Sequence, residues 1–197
     1  MEFKINRVTK QITFIVCMFI IATSCKRKQN KDKEASLKVI VENSIGKTLI
    51  LPDSLNLYKP FSNYISDSAE MLNSELKIYS HINASCSTCI PNIKLWDSLV
   101  PEFNMYKVPV ILICGSDDKF ELIKYLCESS QIKSFSYPFF LDKKNKYIKI
   151  NSFMNESAHF ETVLTDKYNT ILVLGNPLHS KDIKEVYLKT IIENQKD

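Results

Sequence analysis

Leu76-Lys-Ile-Tyr-Ser-His-Ile-Asn-Ala-Ser-Cys86-Ser-Thr-Cys89-Ile-Pro-Asn-Ile-Lys-Leu-Trp-Asp-Ser-Leu-Val100 holds the change of period on which the fold turns. Leu76 to Ile82 is rich in β-forming residues, and Asn83-Ala84-Ser85 after it is a polar turn. Beyond the turn, Ile90, Ile93, Leu95, Trp96, Leu99 and Val100 recur at the i, i+3, i+4 spacing of an amphipathic helix. Cys86 and Cys89 therefore sit where a strand hands over to a helix. Two cysteines with two residues between them can close a small ring. A thiol at a helix start also faces unpaired backbone N–H groups and the positive end of the helix dipole, both of which favour the thiolate. Cys86 is the candidate attacking thiol. Cys89, one turn further in, is the candidate resolving thiol, and Ser87 and Thr88 offer hydroxyl donors for a nearby sulfur.

Working outward, residues 108–113 read as a strand, 117–128 as a helix and 138–141 as a short extended piece. Thr162-Val-Leu-Thr165, a turn at 166–169 and Thr170-Ile-Leu-Val-Leu174 form a hairpin ended by Gly175-Asn-Pro177, and Ser180 caps a last helix over 181–193. On the other side, Leu37-Lys-Val-Ile-Val41 and Lys47-Thr-Leu-Ile-Leu51 predict two extended segments with Gly46 as the bend, a hairpin on the domain's edge. Residues 60–65 lead toward a short helix, and the rest of 58–73 has no clean period. Strands alternating with helices indicate an α/β fold, and the late hairpin makes its sheet mixed, with an N-terminal β extension.

The 197 residues suffice for one ordinary domain, expected over 37–197; 45% are apolar and 24% charged, which fits a packed interior. The three glycines, Gly46, Gly115 and Gly175, are too scattered to build a phosphate-cradling loop, which excludes nucleotide binding of that kind. Half of the formal charge of +4 comes from the first 24 residues, where Lys4, Arg7 and Lys10 face Glu2. No nucleic-acid-binding face is needed to account for the charge.

Those three basic residues and the apolar stretch over 12–23 read as a secretion signal, residues 1–24, well short of the about 20 apolar residues a spanning helix needs. Ala22-Thr-Ser-Cys25 resembles the lipobox of bacterial lipoproteins, with Ala22 where Leu is usual. The resemblance implies cleavage before Cys25, acylation of Cys25 and firm attachment to a membrane, with 25–36 as a solvated tether. A soluble secreted protein and an uncleaved anchor are the alternatives. With Cys17 in the signal and Cys25 taken by lipid, Cys86, Cys89, Cys114 and Cys127 remain for the folded domain, in a compartment where disulfides persist. Cys114, in an apolar strand, and Cys127, in a helical pattern, read as small buried residues, and Trp96 as core.

The strand into Ser85-Cys86-Ser-Thr-Cys89, its helix, and the hairpin from Thr162 to Pro177 resemble the thioredoxin-like superfamily, and within it the redoxin-type lipoproteins of Gram-negative bacteria, over roughly residues 37–193. The resemblance implies a thioredoxin-like fold with a mixed central sheet flanked by helices. It also implies a periplasm-facing thiol–disulfide oxidoreductase serving cell redox homeostasis, monomeric and without an organic cofactor, whose partners are protein thiols or disulfides and, through its lipid, the membrane.

Two departures stand out. Ser85 occupies the place of a usual aromatic residue. His159-Phe160-Glu161 occupies the place of a cis-proline that faces the CxxC pair, and these three residues are the candidate substrate loop. A cis bond without proline costs about 2.5 to 4 kcal/mol, so a trans bond and a differently shaped groove are expected. Two rival readings remain open: a lipoprotein binding module whose cysteines are a structural disulfide, and a zinc site joining the pair to His81, His159 or a remote cysteine. No second CxxC or paired-histidine motif supports the latter, and no metal is assigned. His81 reads as a strand residue and His179 as a loop residue.

Overall fold

A buried eight-residue strand, β2 (Leu76–Asn83), forms the centre of one six-stranded sheet. The computed structural model describes residues 35–195; the expected signal segment, Cys25 and the tether as far as residue 34 lie outside them. In chain order the elements are a helix over 35–44 (α1), β1 (Leu55–Tyr58), α2 (Ser68–Asn73), β2, α3 (Pro91–Asn104), β3 (Val110–Gly115), α4 (Glu121–Glu128), β4 (Phe139–Asp142), α5 (Lys146–Ile150), two 3₁₀ turns (Ser152–Glu156 and Ala158–Phe160), β5 (Thr162–Asp166), β6 (Ile171–Leu174) and α6 (Lys181–Asn194). All six strands belong to the unit that begins at Asn43. Among the described residues no helix is long and apolar enough to cross a membrane.

The strand order is β1-β4-β3-β2-β5-β6. β2, β3 and β4 are parallel, β5 runs antiparallel to β2, and β6 antiparallel to β5. The steps from β2 to β3 and from β3 to β4 go the same way across the sheet, so right-handed crossovers put α3 and α4 on one face. α6 joins α3 there: the Phe103 and Tyr187 rings lie 6.2 Å apart, and Lys184 Nζ donates to Glu102 Oε2 at 2.8 Å. This mixed sheet flanked by helices, with the two cysteines at the β2–α3 junction and the β5–β6 hairpin beside β2, is the thioredoxin-like arrangement that the resemblance implies.

α3 forms because Pro91, at its first turn, needs no N–H partner there, and because Ile93, Trp96, Val100 and Phe103 make one apolar stripe. All four are buried, each contributing about 1.5 to 3 kcal/mol, with the indole of Trp96 fully enclosed as expected. β2 also buries Lys77. Its stem packs inside while its ammonium donates to the carbonyls of Leu72 and Lys167 at 3.0 and 2.9 Å, and desolvation holds its pKa below the ordinary lysine value.

The predicted hairpin over 37–41 and 47–51 is not formed. Residues 37–41 are helical, because Leu37, Ile40, Val41 and Ser44 recur at helical spacing and Lys38 pairs with Glu42 one turn on at 3.7 Å. Local periodicity overrides the strand preference of the β-branched run. Gly46 does supply the bend, at φ +78, but between α1 and a lone bridge from Thr48 to Thr170 that continues the sheet beyond β6. The other N-terminal strand is β1, antiparallel to β4 on the far edge. The N-terminal β extension thus exists as two single additions, one per edge. The short helix toward which residues 60–65 lead is α2, beginning at Ser68, and Asp67 caps it by accepting the Glu70 amide at 2.8 Å.

Candidate functional site

β2 ends at Asn83, and its last side chain makes the turn that carries the cysteines. Asn83 Oδ1 accepts from the Ser85 amide at 3.0 Å and from the Ser85 hydroxyl at 2.7 Å, while the Asn83 carbonyl accepts the Cys86 amide at 3.3 Å. The Ala84 amide donates across to the Gly115 carbonyl at 2.8 Å, which ties the turn to the end of β3. From Cys86 the chain winds into a helical turn: the amides of Cys89 and Ile90 both donate to the Cys86 carbonyl, at 2.9 and 3.2 Å. Regular α3 starts only at Pro91, five residues later than the sequence pattern predicts, since proline has no N–H with which to join the ladder.

Cys86 and Cys89 face each other on this turn as a disulfide, their Cα atoms 5.2 Å apart. Both are half-buried, with Ser87 and Thr88 exposed between them. Thr88 Oγ1 lies 3.1 Å from Cys86 Sγ; since a disulfide sulfur has no proton, the hydroxyl is the donor. The amides of Ser87 and Thr88 have no backbone acceptor among the described residues. Chemically, the arrangement offers a half-exposed cysteine, a second sulfur within bonding reach, and a hydroxyl donor suited to a thiolate.

Residues 159–161 are brought to the same end of the sheet. The His81 amide donates to the Glu161 carbonyl at 2.9 Å, just beyond the Ser80–Thr162 pair of the β2–β5 ladder. Glu161 Oε2 stands 3.6 Å from His81 Nδ1. Phe160 is buried, His159 is exposed, and the peptide bonds through all three are trans. His81 is largely buried, stacking at 6.4 Å on the Tyr147 ring, and His179 lies in the loop before α6. Among the described residues no group of three His, Cys, Asp or Glu side chains is disposed to hold a metal ion.

Cys114 and Cys127 are free and buried, in line with their sequence reading. Burial pushes the Cys114 thiol up to about 12 and the Cys127 thiol up to about 11, so both remain protonated and inert at neutral pH.

Sequence reasoning did not reach the surroundings of the turn. The Asp117 amide donates to Ser85 Oγ at 3.1 Å, and Asn145, in a left-handed conformation, brackets Ser116: its Oδ1 accepts the Ser116 amide at 2.8 Å and its Nδ2 donates to the Ser116 carbonyl at 3.0 Å. The one signal available was the polar run Asn83-Ala-Ser85, whose residues are the types that build side-chain-closed turns.

No family model and no curated sequence matches the chain. Solved structures overlap with it at low identity. A candidate protein disulfide isomerase from Bacteroides thetaiotaomicron is 17% identical over 78% of this chain and 91% of its own, with a TM-score of 0.48. A thioredoxin-like protein from Bacteroides caccae is 19% identical over 75% and 50%, with a TM-score of 0.43. The exposed lipoprotein thioredoxin of Streptococcus pneumoniae is 14% identical over 64% and 88%, with a TM-score of 0.44. The fold assignment rests on strand order and connectivity.

Proposed function

We propose that the chain is a thiol–disulfide exchange protein held at a bacterial cell envelope by lipid on Cys25, facing the periplasm and acting on protein thiols or disulfides through Cys86 and Cys89, with no organic cofactor. The observation that carries this reading is the Cys86–Cys89 bond itself: it spans a half-exposed turn anchored to a buried central strand, where a partner sulfur has access and the backbone has little freedom to move.

In the reducing direction the Cys86 thiolate attacks one sulfur of a substrate disulfide. The new bond joins Cys86 to the substrate, and the other substrate sulfur leaves as a thiolate that takes up a proton. Cys89, having lost its proton, then attacks Cys86 and expels the second substrate thiolate, leaving the substrate reduced by two electrons and the pair oxidised. The opposite direction follows the same steps reversed. The turn aids the first attack by presenting the Thr88 hydroxyl to the thiolate, and the second by holding Cys89 within reach, which makes resolution intramolecular.

The test is turnover of a protein disulfide, insulin for example, by the full chain in detergent with dithiothreitol as reductant. Cys86→Ser is expected to abolish the acceleration, and Cys89→Ser to accumulate the mixed disulfide; rates equal to wild type would remove the assignment. A redox titration separates exchange from a purely structural bond, since an inert staple has a potential below about −300 mV. Incorporation of labelled palmitate, lost in Cys25→Ser, tests the anchor.

A further inference from the structure

The side chain before the first cysteine bridges two segments of the chain. Ser85 Oγ donates to Asn83 Oδ1 at 2.7 Å and accepts the Asp117 amide at 3.1 Å, while the Ser85 amide donates to the same Asn83 oxygen. One hydroxyl thereby joins the last residue of β2 to the loop between β3 and α4. That loop is itself fixed, because Asn145 brackets Ser116 with two hydrogen bonds from the far side. The clamp closes directly onto Cys86, whose amide is held by the Asn83 carbonyl.

We infer that Ser85 is a positioning residue that sets the redox potential of the pair, by holding the turn in the geometry that brings the Cys86 sulfur to Cys89. The inference rests on the exchange reading above and adds to it which residue tunes the couple. Opening the Cys86–Cys89 bond takes two electrons and two protons; with glutathione as reductant, two glutathione thiols become one glutathione disulfide while both cysteines become thiols. The open dithiol tolerates a looser turn and the closed ring does not. A hydroxyl that stiffens the turn therefore favours the oxidised form, and removing it raises the potential. The effect is local: Ser85 is half-buried and Asp117 exposed, so water takes over the freed Asp117 amide and global stability changes little.

The experiment is a glutathione redox titration of the full chain as wild type, Ser85→Ala and Ser85→Thr, each also unfolded in urea. Ser85→Ala is expected to shift the equilibrium constant toward the dithiol by roughly tenfold, which is about 30 mV for a two-electron couple, with its urea midpoint near wild type. Ser85→Thr, which keeps the hydroxyl, is expected within about twofold of wild type. The proposal is overturned if Ser85→Ala stays within about twofold of a normally titrating wild type, or if both variants shift equally. A wild-type pair that does not titrate at all defeats the exchange reading instead. Should Ser85→Ala unfold, Asn83→Ala removes the shared acceptor and is judged by the same shift.

Discussion

Thr88→Val deletes the hydroxyl that donates to the Cys86 sulfur at 3.1 Å and leaves the branching at Cβ unchanged. With the turn unchanged on reduction, the same hydroxyl would face the Cys86 thiolate. A hydrogen bond to a charged group contributes about 1.5 to 3 kcal/mol when shielded from water. Thr88 is exposed, so competition from solvent brings the expectation to about 1.4 kcal/mol, one pKa unit in the Cys86 thiol. The assay is the pH dependence of iodoacetamide alkylation in a Cys89→Ser background, read by mass. Losing the hydroxyl moves the midpoint up by about one unit. Well below both midpoints the thiolate fraction falls about tenfold, while the more basic sulfur is intrinsically about threefold more nucleophilic, so alkylation slows about threefold. Well above both midpoints thiolate is complete in either protein, and the variant reacts about threefold faster. The two profiles must therefore cross. Profiles that superimpose would show that the hydroxyl does not act on the sulfur and would remove Thr88 from the account of the site.

Two further perturbations test the surrounding structure. A Cβ on Gly115 would lie 2.7 Å from Asn145 Oδ1 and 2.8 Å from His81 Nε2, both held by their neighbours, so Gly115→Ala is expected to lose about 1 to 3 kcal/mol in urea unfolding; an unchanged midpoint would mean that the two side chains move aside freely. Stability should also fall with alkali. Burial raises the thiols of Cys114 and Cys127 from 9.0 to about 12 and about 11, and the Tyr58 hydroxyl from 10.0 to about 12. As pH rises past about 9 the unfolded chain loses these protons first, so stability is intact below that pH and is lost progressively up to 11 or 12. The urea midpoint is expected to drop between pH 9 and 11, with Cys114 and Cys127 unalkylated in the native protein at pH 7.5; a flat midpoint, or native labelling of Cys114, would contradict their burial.

The parts of the fold legible in the sequence were those encoded locally. β2 and α3 announce themselves through a switch of period within twenty residues, and the β5–β6 hairpin through its turn. Part of what escaped depends on partners far away in the chain. β1 is four residues long and is a strand only because Phe139 to Asp142 lies beside it. Residues 37–41 satisfy both templates, since a β-branched run is compatible with strand propensity and with a helical stripe, and sequence alone does not arbitrate. At the site, Cys86 and Cys89 were legible from their spacing and placement. The clamp was not: Asn83 and Ser85 are adjacent to the pair, but Asp117 and Asn145 reach it from loops 31 and 59 residues beyond Cys86, and nothing in their own neighbourhoods marks them. The absence of proline at 159–161 was legible as a departure. That Glu161 would stand against His81 was a matter of register between β2 and β5, fixed only once the strands pair.

The two short N-terminal additions to the sheet have a consequence for the protein at high local concentration. A bare strand at either side of a sheet is a template for the same strand of a neighbour. Here β4 is covered by β1, and β6 by the chain around Thr48, so what faces outward is a four-residue strand on one side and a single bridge on the other. Neither is long enough to nucleate pairing between molecules, so neighbouring copies can be packed densely without stitching themselves together, and deleting residues 43–58 would expose two sticky borders at once.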